Sequence, residues 1–551
     1  MQAADMSPFA NSVYQSKYAW KDENGEICED WAGTALRVTE NVLGALGYKV
    51  GDEPFERVRK LIEDRKFMPG GRYLYAAGRS LHQVNNCLLL KADDTREGWA
   101  DLLSKSAMAL QTGAGIGVDY SDIRPSGSPI KRTGGVASGP LSLMRMVNEV
   151  GRGVMQGGAR RSAIWAGLNW SHPDAEAFLA MKDWSPELRA LKEKDFGFPM
   201  EMEFTNISIL LDDAFFEAYN NPACSLHEQA HRIYEKTVTR MVKTAEPGLS
   251  VDIGDNAGET LRNACCEITT RDDSDVCNLG SLNLSRINSI GEMDEAVKYA
   301  TLFLLAGTVY SHVPYEKVAD VRSKNRRLGL GVMGVHEWLL QRGHSYGPND
   351  ELGEWMGVYT RSGSYAAQWA RTHDLSAPIK TRAIAPTGTI GIVAETTTGI
   401  EPIFCVAYKR RVKTAQATGK DLVNYQYVID PTAKRLVERG VAPEDIEDAY
   451  LLSYNIEKRI AFQAWMQQFV DHAISSTLNL PFAITEPDEV KDFGDLLMEY
   501  LPDLRGLTVY PNGSRGAQPL SPVPYEKAVL HEGVVFEEDE NAACTSGSCG
   551  A

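Results

Sequence analysis

The chain contains no uninterrupted apolar run of about 18 residues, so the sequence offers no membrane span. Its opening residues lack the basic-then-apolar order of a secretory leader, and a cytoplasmic location is the expectation. Positive charge is in deficit: 57 Lys and Arg face 74 Asp and Glu, a net charge of −17. A general nucleic-acid binder needs clustered Lys and Arg to neutralise phosphates, which this balance excludes, although loops could still hold single nucleotides. No GKS/T sequence closes a glycine loop, so there is no Walker phosphate site. No repeat of fixed period is visible. Cysteines number nine in 551 residues, an odd and low count that rules out a disulfide scaffold and reads as reduced thiols.

What is present is the balance of an ordinary globular protein, with 43% hydrophobic and 24% charged residues. Residues 1–65 read as amphipathic helices, with 31–46 and 56–65 the strongest candidates. Further on, helical patterns at 97–110, 141–155, 226–244, 293–310, 351–371 and 458–477 alternate with short apolar runs. Those runs, near 205–211, 249–253, 276–283, 328–332, 382–385, 480–484 and 507–510, read as strands. Alternation of this kind predicts an α/β fold with mostly parallel pairing. The last stretch, GVVFEEDENAACTSGSCGA, is acidic and then small-residue-rich, the composition of a flexible tail.

Several short constellations could carry chemistry. In Asn263-Ala264-Cys265-Cys266-Glu267, alternate residues of an extended segment present an amide, a thiol and a carboxylate to one side. That is a reactive sulfur flanked by a hydrogen-bonding group and an acid/base, or else a buried cysteine pair beside a solvated glutamate. Cys87 and Cys277 each begin a strand-like segment; they either meet across a sheet as a redox dithiol or pack separately. Cys544 and Cys549 sit on a small-residue arm, where access and mobility suit thiol–disulfide exchange better than zinc, for which no further ligands are near. Cys28, Cys224 and Cys405 have no suggestive neighbours and read as small buried hydrophobes. The Pro386-Thr387-Gly388-Thr389-Ile390-Gly391 turn offers hydroxyls and backbone N–H groups to a phosphate, or is a plain structural turn. Glycine loops at 113–117 and 156–161 add conformational freedom, and the second carries the guanidiniums of Arg160 and Arg161.

Taken in order, these pieces resemble the catalytic chain of a ribonucleotide reductase. The carrying residues are NNC at 85–87, GAGIG at 113–117, DIRPSGSPIK at 122–131, GGARRSA at 157–163 and NACCE at 263–267. They continue with VCNLGSLNLS at 276–285, RLGLGVMG at 327–334, APTGTIG at 385–391, IEP at 400–402, ISSTLNLP at 474–481 and the CxxxxC tail. Each piece is weak alone and the ordered set is specific. The resemblance implies a ten-stranded α/β barrel of two antiparallel five-stranded halves around a central finger loop. A helical N-terminal region (1–65) would precede the catalytic barrel (66–530), and a redox tail (531–551) would follow. It further implies that Cys265 becomes a transient thiyl radical that takes hydrogen from the ribose. Glu267 would act as general base and Asn263 would bind substrate. Cys87 and Cys277 would supply two electrons and end as a disulfide. Cys544 and Cys549 would reduce that disulfide and be renewed by thioredoxin or glutaredoxin. Asn86, Gly115 and Pro386, Thr387, Gly388, Thr389, Ile390 would contact a ribonucleotide, a diphosphate by preference over a triphosphate.

The same resemblance matches Asp94, Arg124 and Lys131 to a specificity site for dNTP or ATP effectors. Gln156 and Arg160 fall in the loop that relays effector identity, and relatives place this site at a homodimer interface. LTVYPNGSR (507–515), with a single tyrosine and no Tyr-Tyr pair, is similar to the adenosylcobalamin-dependent class II enzymes. No DxHxxG motif is present, so cobalt ligation by that histidine is not implied and no metal-ligating residue is expected. Two alternatives stay open: a class I large subunit that takes its radical from a separate subunit, and an inactive nucleotide-binding homologue. NACCE departs from the NPCGE of many relatives and puts an extra thiol, Cys266, beside Cys265. The short N-terminal region leaves no room for a full ATP cone, so an on/off activity site is not expected.

Overall fold

The structure, a computed structural model, describes residues 6–131, 133–154, 162–195, 198–412, 424–512 and 520–537. Three helices open it, α1 (Pro8–Lys17), α2 (Trp31–Gly44) and α3 (Glu53–Glu63). Ser7 and Asp30 start the first two as caps, their side chains accepting from Ala10 N and Gly33 N. Phe55, Val58, Leu61 and Ile62 recur at helical spacing on α3 and form its buried face. That face packs against α4 (Ile290–Tyr310), which is buried almost all round because its sequence is apolar almost all round.

A ten-stranded sheet organises the rest. Its strands are β1 (Phe67–Pro69), β2 (Cys87–Lys91), β3 (Gly115–Asp119), β4 (Ile164–Asn169), β5 (Thr205–Asp212) and β6 (Gly248–Asp252). After a small separate hairpin of β7 (Leu261–Arg262) and β8 (Thr269–Thr270) come β9 (Asp275–Asn283), β10 (Leu328–Met333), β11 (Thr477–Leu480) and β12 (Gly506–Pro511). β2 to β6 pair in parallel, one after the next. β9 runs parallel to β10, and β11 to β12. The two sets meet antiparallel at β2–β9 and at β6–β12, and β1 edges β9. Single-residue parallel bridges, Leu330 to Arg382 and Ile384 to Ile474, lie between β10 and β11. The strand expected at 382–385 is reduced to those bridges.

β3, β6 and β10 are buried along their whole length, as strands covered on both faces must be. β2 shows how the faces divide. Leu88 and Leu90 pack with Ile116 and Val118 under the outer helices. Leu89 joins Leu261, Ile268, Leu279, Ala383 and Ala385 on the inner side, and alternation puts Cys87 there as well. A four-stranded antiparallel sheet of Leu520–Pro522, Ala407–Val412, Asn424–Ile429 and Val535–Glu537 stands apart. No helix among the described residues is long and apolar enough to cross a membrane.

Three expectations from the sequence are corrected. The helix expected over 351–371 is two, Asp350–Tyr359 and Ser362–Thr372, because the Thr360 carbonyl turns aside to accept from Arg382. The helix expected to 477 ends at Gln467, whose side-chain amide donates to Val470 O and His472 O and turns the chain, so β11 begins at Thr477 rather than near 480. Cys28 is exposed rather than buried, just past the Lys21–Ile27 bridge, and Cys224 is half-buried; Cys405 is buried as expected.

Candidate active site

The β7–β8 hairpin carries residues 263–268 across the inner face of β3. The crossing is so close that a Cβ on Gly117 would lie 1.7 Å from Arg262 O, and one on Gly115 would lie 3.3 Å from Cys87 Sγ. Glycine is required at 117 for this approach. The hairpin is clamped from behind. Arg262, fully buried, donates to Asp252 at 2.5 Å and to Glu259 O at 2.7 Å. Thr269 donates its hydroxyl to Glu259 at 2.7 Å and its N–H to His472 Nδ1 at 3.2 Å. Arg505 and Lys380 complete the ion cluster around Asp252 and Glu259.

Inside the loop, Asn263 is the organiser. Its Oδ1 accepts from Ile268 N at 3.0 Å, its carbonyl accepts from Cys266 N at 2.9 Å, and its Nδ2 lies 3.6 Å from Cys87 Sγ. Ala473 N donates to Glu267 O at 2.9 Å, fixing the far side. Cys266 holds the turn with φ of +67°, a left-handed conformation that favours glycine. Its thiol hydrogen-bonds with Ser208, and Cys266 is not among the residues lining the cavity onto which Cys265 opens.

Cys265, Glu267, Cys87 and Asn86 face one cavity of about 350 Å³. Cys265 lies deep within the protein yet is open to this space. Burial, with the Glu267 charge adding to it, pushes the Cys265 thiol well above its usual range and the Cys87 thiol up to about 12. Both therefore stay protonated and carry a hydrogen rather than a thiolate charge. Burial also lifts the Glu267 carboxyl to about 7, against a hydrogen bond from Asn263 that pulls it down. Its Oε2, and Asn86 Oδ1, are buried without a partner among the described residues. A carboxyl that titrates near neutrality, beside two protonated thiols, can both take and return a proton.

Pro386, Thr387, Gly388, Thr389 and Ile390 line the same cavity, at the start of the short helix α5 (Gly388–Ala394). Nothing lies within 4 Å of a Cβ built on Gly388, so that backbone is open to a ligand. Gly115 lines the cavity as well. Cys277 stands opposite Cys87 in the antiparallel register of β9 and β2. Asp94 and Arg124 are brought together in a 2.6 Å ion pair at the surface, with Lys131 exposed at a neighbouring turn, and none of the three lines the cavity. Gln156, Arg160, Cys544 and Cys549 lie outside the described residues. Among the described residues no group of His, Cys, Asp and Glu could hold a metal ion directly.

Sequence reasoning missed one wall of the cavity: Ser16, Lys17 and Tyr18 at the end of α1, and Arg72 and Tyr75. The GGR run at 70–72 was the only available signal, since nothing local marks the α1 residues.

Comparison with known proteins adds an independent line. The family model described as ribonucleotide reductase, barrel domain, matches residues 85–252, 225–353 and 379–509. A Mycobacterium tuberculosis (strain CDC 1551 / Oshkosh) protein named vitamin B12-dependent ribonucleoside-diphosphate reductase is 27% identical, over 99% of this chain and 84% of its own. A protein of the same name from Thermoplasma acidophilum is 27% identical over 90% of this chain and 71% of its own. The ribonucleoside-diphosphate reductase large subunit of vaccinia virus is 24% identical over 76% of this chain and 67% of its own.

Proposed function

This chain belongs to the ribonucleotide reductase family, and from that premise we infer how its cavity works. The enzyme reduces ribonucleotides to 2′-deoxyribonucleotides, and its cofactor is adenosylcobalamin, as the vitamin B12-dependent relatives indicate. One observation carries the reading of the site. A protonated thiol, Cys265, opens onto a nucleotide-sized cavity that also holds a glutamate titrating near neutrality and a second protonated thiol.

The residues suit the cofactor. A corrin brings its own nitrogen donors to cobalt, so the chain has to offer a hydrogen-bearing sulfur with open space before it rather than metal ligands, and Cys265 is such a sulfur. The chemistry adenosylcobalamin supplies when bound is one-electron abstraction of a hydrogen atom. Cys265, as a thiyl, would take the 3′-hydrogen of the ribose, Glu267 would accept the proton of the 3′-hydroxyl, and Asn263 would hold the sugar. The 2′-hydroxyl then leaves as water. Cys87 and Cys277 would give two electrons and two protons and close a disulfide, leaving deoxyribonucleotide, disulfide and water from ribonucleotide and dithiol. Their opposed register supports this, because directly paired antiparallel residues have Cα atoms about 4.5–5.5 Å apart, within disulfide range. Cys544 and Cys549, renewed by thioredoxin or glutaredoxin, would reopen the disulfide.

Asn86, Gly115 and the Pro386–Ile390 turn would hold the nucleotide, a diphosphate by preference. Asp94, Arg124, Lys131, Gln156 and Arg160 would form the effector site of a homodimer. The sheet would close as an α/β barrel of two antiparallel five-stranded halves; the two parallel sets and the bridges at Arg382 and Ile384 support that reading. The domain plan is a helical region (1–65), a barrel (66–530) and a tail (531–551). The test is direct: purified chain with adenosylcobalamin, a dithiol and ribonucleotides is expected to make deoxyribonucleotides. Absence of product under these conditions overturns the reading.

A further inference from the structure

The wall that sequence reasoning missed carries a charge the reaction scheme does not use. α1 begins where α5 ends: Ser7 N donates to Glu395 Oε1 at 3.0 Å, and Arg65 holds the same carboxylate at 3.1 Å. The two helices pack together, and both Lys17 and the Pro386–Ile390 turn line the cavity. α1 therefore runs back along α5 in the opposite direction. Its ten residues span about 15 Å and the seven of α5 about 10 Å, so Lys17 arrives level with, or just past, the Thr387–Gly388 turn. The start of α1 is also pinned by Arg410, whose guanidinium sits 4.1 Å over the Phe9 ring. Next to Lys17, Tyr18 packs against Gly71, where a Cβ would lie 2.9 Å from the phenol oxygen.

Lys17 is exposed, and among the described residues no carboxylate or other partner engages it. The one carboxylate on the cavity wall, Glu267, sits with the thiols. The cavity thus has a sulfur and carboxyl end and a rim that carries an unpaired ammonium, a hydroxyl from Ser16 and the open backbone of Gly388.

We propose that Lys17, with Ser16 beside it, binds the terminal phosphate of the ribonucleotide and makes the site selective for phosphorylation state. The proposal rests on the reading of this cavity as the ribonucleotide site. An ammonium is a point charge with three donors, suited to a terminal phosphate, which presents three oxygens and the highest charge density on the chain. Contact with a part of the substrate that does not react contributes equally to ground and transition states, so it sets KM rather than kcat.

The experiment uses the full chain with its cofactor. Lys17→Ala is expected to raise KM for ribonucleoside diphosphates about ten-fold at nearly constant kcat, a size set by one partly solvated charge-assisted hydrogen bond. Lys17→Glu should raise it further, and Lys17→Arg should restore most of it. A second arm needs no turnover: equilibrium dialysis of each ribonucleoside diphosphate and its monophosphate, with deoxynucleoside triphosphates saturating. Wild type should hold the diphosphate more tightly, and Lys17→Ala should shrink that preference about ten-fold. A merely structural role for α1 would weaken both nucleotides alike and overturn the proposal, as would wild-type KM in Lys17→Ala. If wild type makes no deoxynucleotide, the reductase reading fails instead, and the dialysis ratio still decides whether Lys17 holds a terminal phosphate.

Discussion

Glu259 just precedes the hairpin and Glu267 sits in its loop; both are buried, and they titrate in opposite directions. Burial pushes each carboxyl up. At Glu259 the Lys380 ammonium, the Thr269 hydroxyl and Arg505 more than reverse that push and hold the group below the usual carboxylate range. At Glu267 no cation answers, and the carboxyl rises to about 7. The difference separates the back of the hairpin from its front. The back pairs its charges, with Asp252 taken by Arg262 and Arg505, and Glu259 by Arg505 and Lys380. At the front, Glu267 Oε2 and Asn86 Oδ1 have no partner among the described residues and belong to residues of the cavity wall, whereas the unpartnered atoms at the back, Asp252 Oδ2 and Arg262 Nε, are buried within the ion cluster and away from the cavity. Buried polar groups left unpaired are costly, so a front of this kind is built to meet a polar ligand, and the back holds it in place while it waits.

The sharpest way to break this comparison is at the sulfur. Cys265→Ser should abolish deoxynucleotide formation while ribonucleotide binding, measured by equilibrium dialysis, persists; residual turnover would detach the chemistry from the front of the hairpin. Glu267→Gln comes next, with kcat expected to fall about 10²–10⁴-fold, the usual contribution of a positioned acid/base. In wild type, kcat/KM should rise with pH through about 7 as Glu267 ionises, and the Gln variant should lose that limb. Stability should move the other way. A carboxyl whose folded pKa is raised favours the folded state while protonated and loses that advantage as pH climbs from the ordinary 4.5 to about 7. Glu267→Gln should therefore be more stable than wild type at pH 8, by on the order of 1–3 kcal/mol in thermal or denaturant unfolding. A variant that is inactive and destabilised would place Glu267 with the structural charges instead.

The back should answer differently. Arg262→Ala removes the central guanidinium and leaves Asp252 buried with half its pairing, at an expected cost of about 3–5 kcal/mol. Chemical denaturation at constant pH measures it. Any activity loss should follow the folded fraction rather than shift the pH limb, and a shifted limb would mean that the two faces are not separable.

How much of this was legible beforehand follows from how local each signal is. Asn263, Cys265 and Glu267 stand within five residues, and β-alternation suggested a shared side; the segment is instead a turn closed by Cys266 N donating to Asn263 O, and of the three Cys265 and Glu267 line the cavity while Asn263 lies behind them. Cys87 and Cys277 each opened a strand-like run, and the opposed register was a pairing that sequence could only pose as a question. Individual strands were readable because buried parallel strands are short apolar runs. The helix over 351–371 was overread, because the break at Thr360 comes from Arg382, a residue distant in sequence that no period records. Arg262 and Arg505 carry no signature, since their partners come together only when β6, β7 and β12 assemble. Lys17 was invisible for the same reason: a lysine closing an amphipathic helix reads as a solvated cation until the packing of α1 on α5 puts it on a cavity rim.

The smallest expected effect lies furthest from the hairpin. Asp94 and Arg124 form a close ion pair, but their side chains are 30% and 42% exposed, so the pair contributes about 0–1 kcal/mol to folding. Asp94→Ala should leave the unfolding transition nearly where it was, in contrast to Arg262→Ala, although both remove one partner of a carboxylate–guanidinium contact. What distinguishes the surface pair is its proposed task. If it holds an effector, the variant should lose the change in substrate preference that each deoxynucleoside triphosphate induces, a coupling that typically amounts to 5–150-fold and runs equally in both directions. The assay is competition among the four ribonucleotides with and without each effector, alongside effector affinity measured with and without substrate. Preserved preferences and a preserved transition together would return Asp94 and Arg124 to the ordinary surface, and would confine the specialised chemistry of this fold to the one hairpin whose two faces titrate apart.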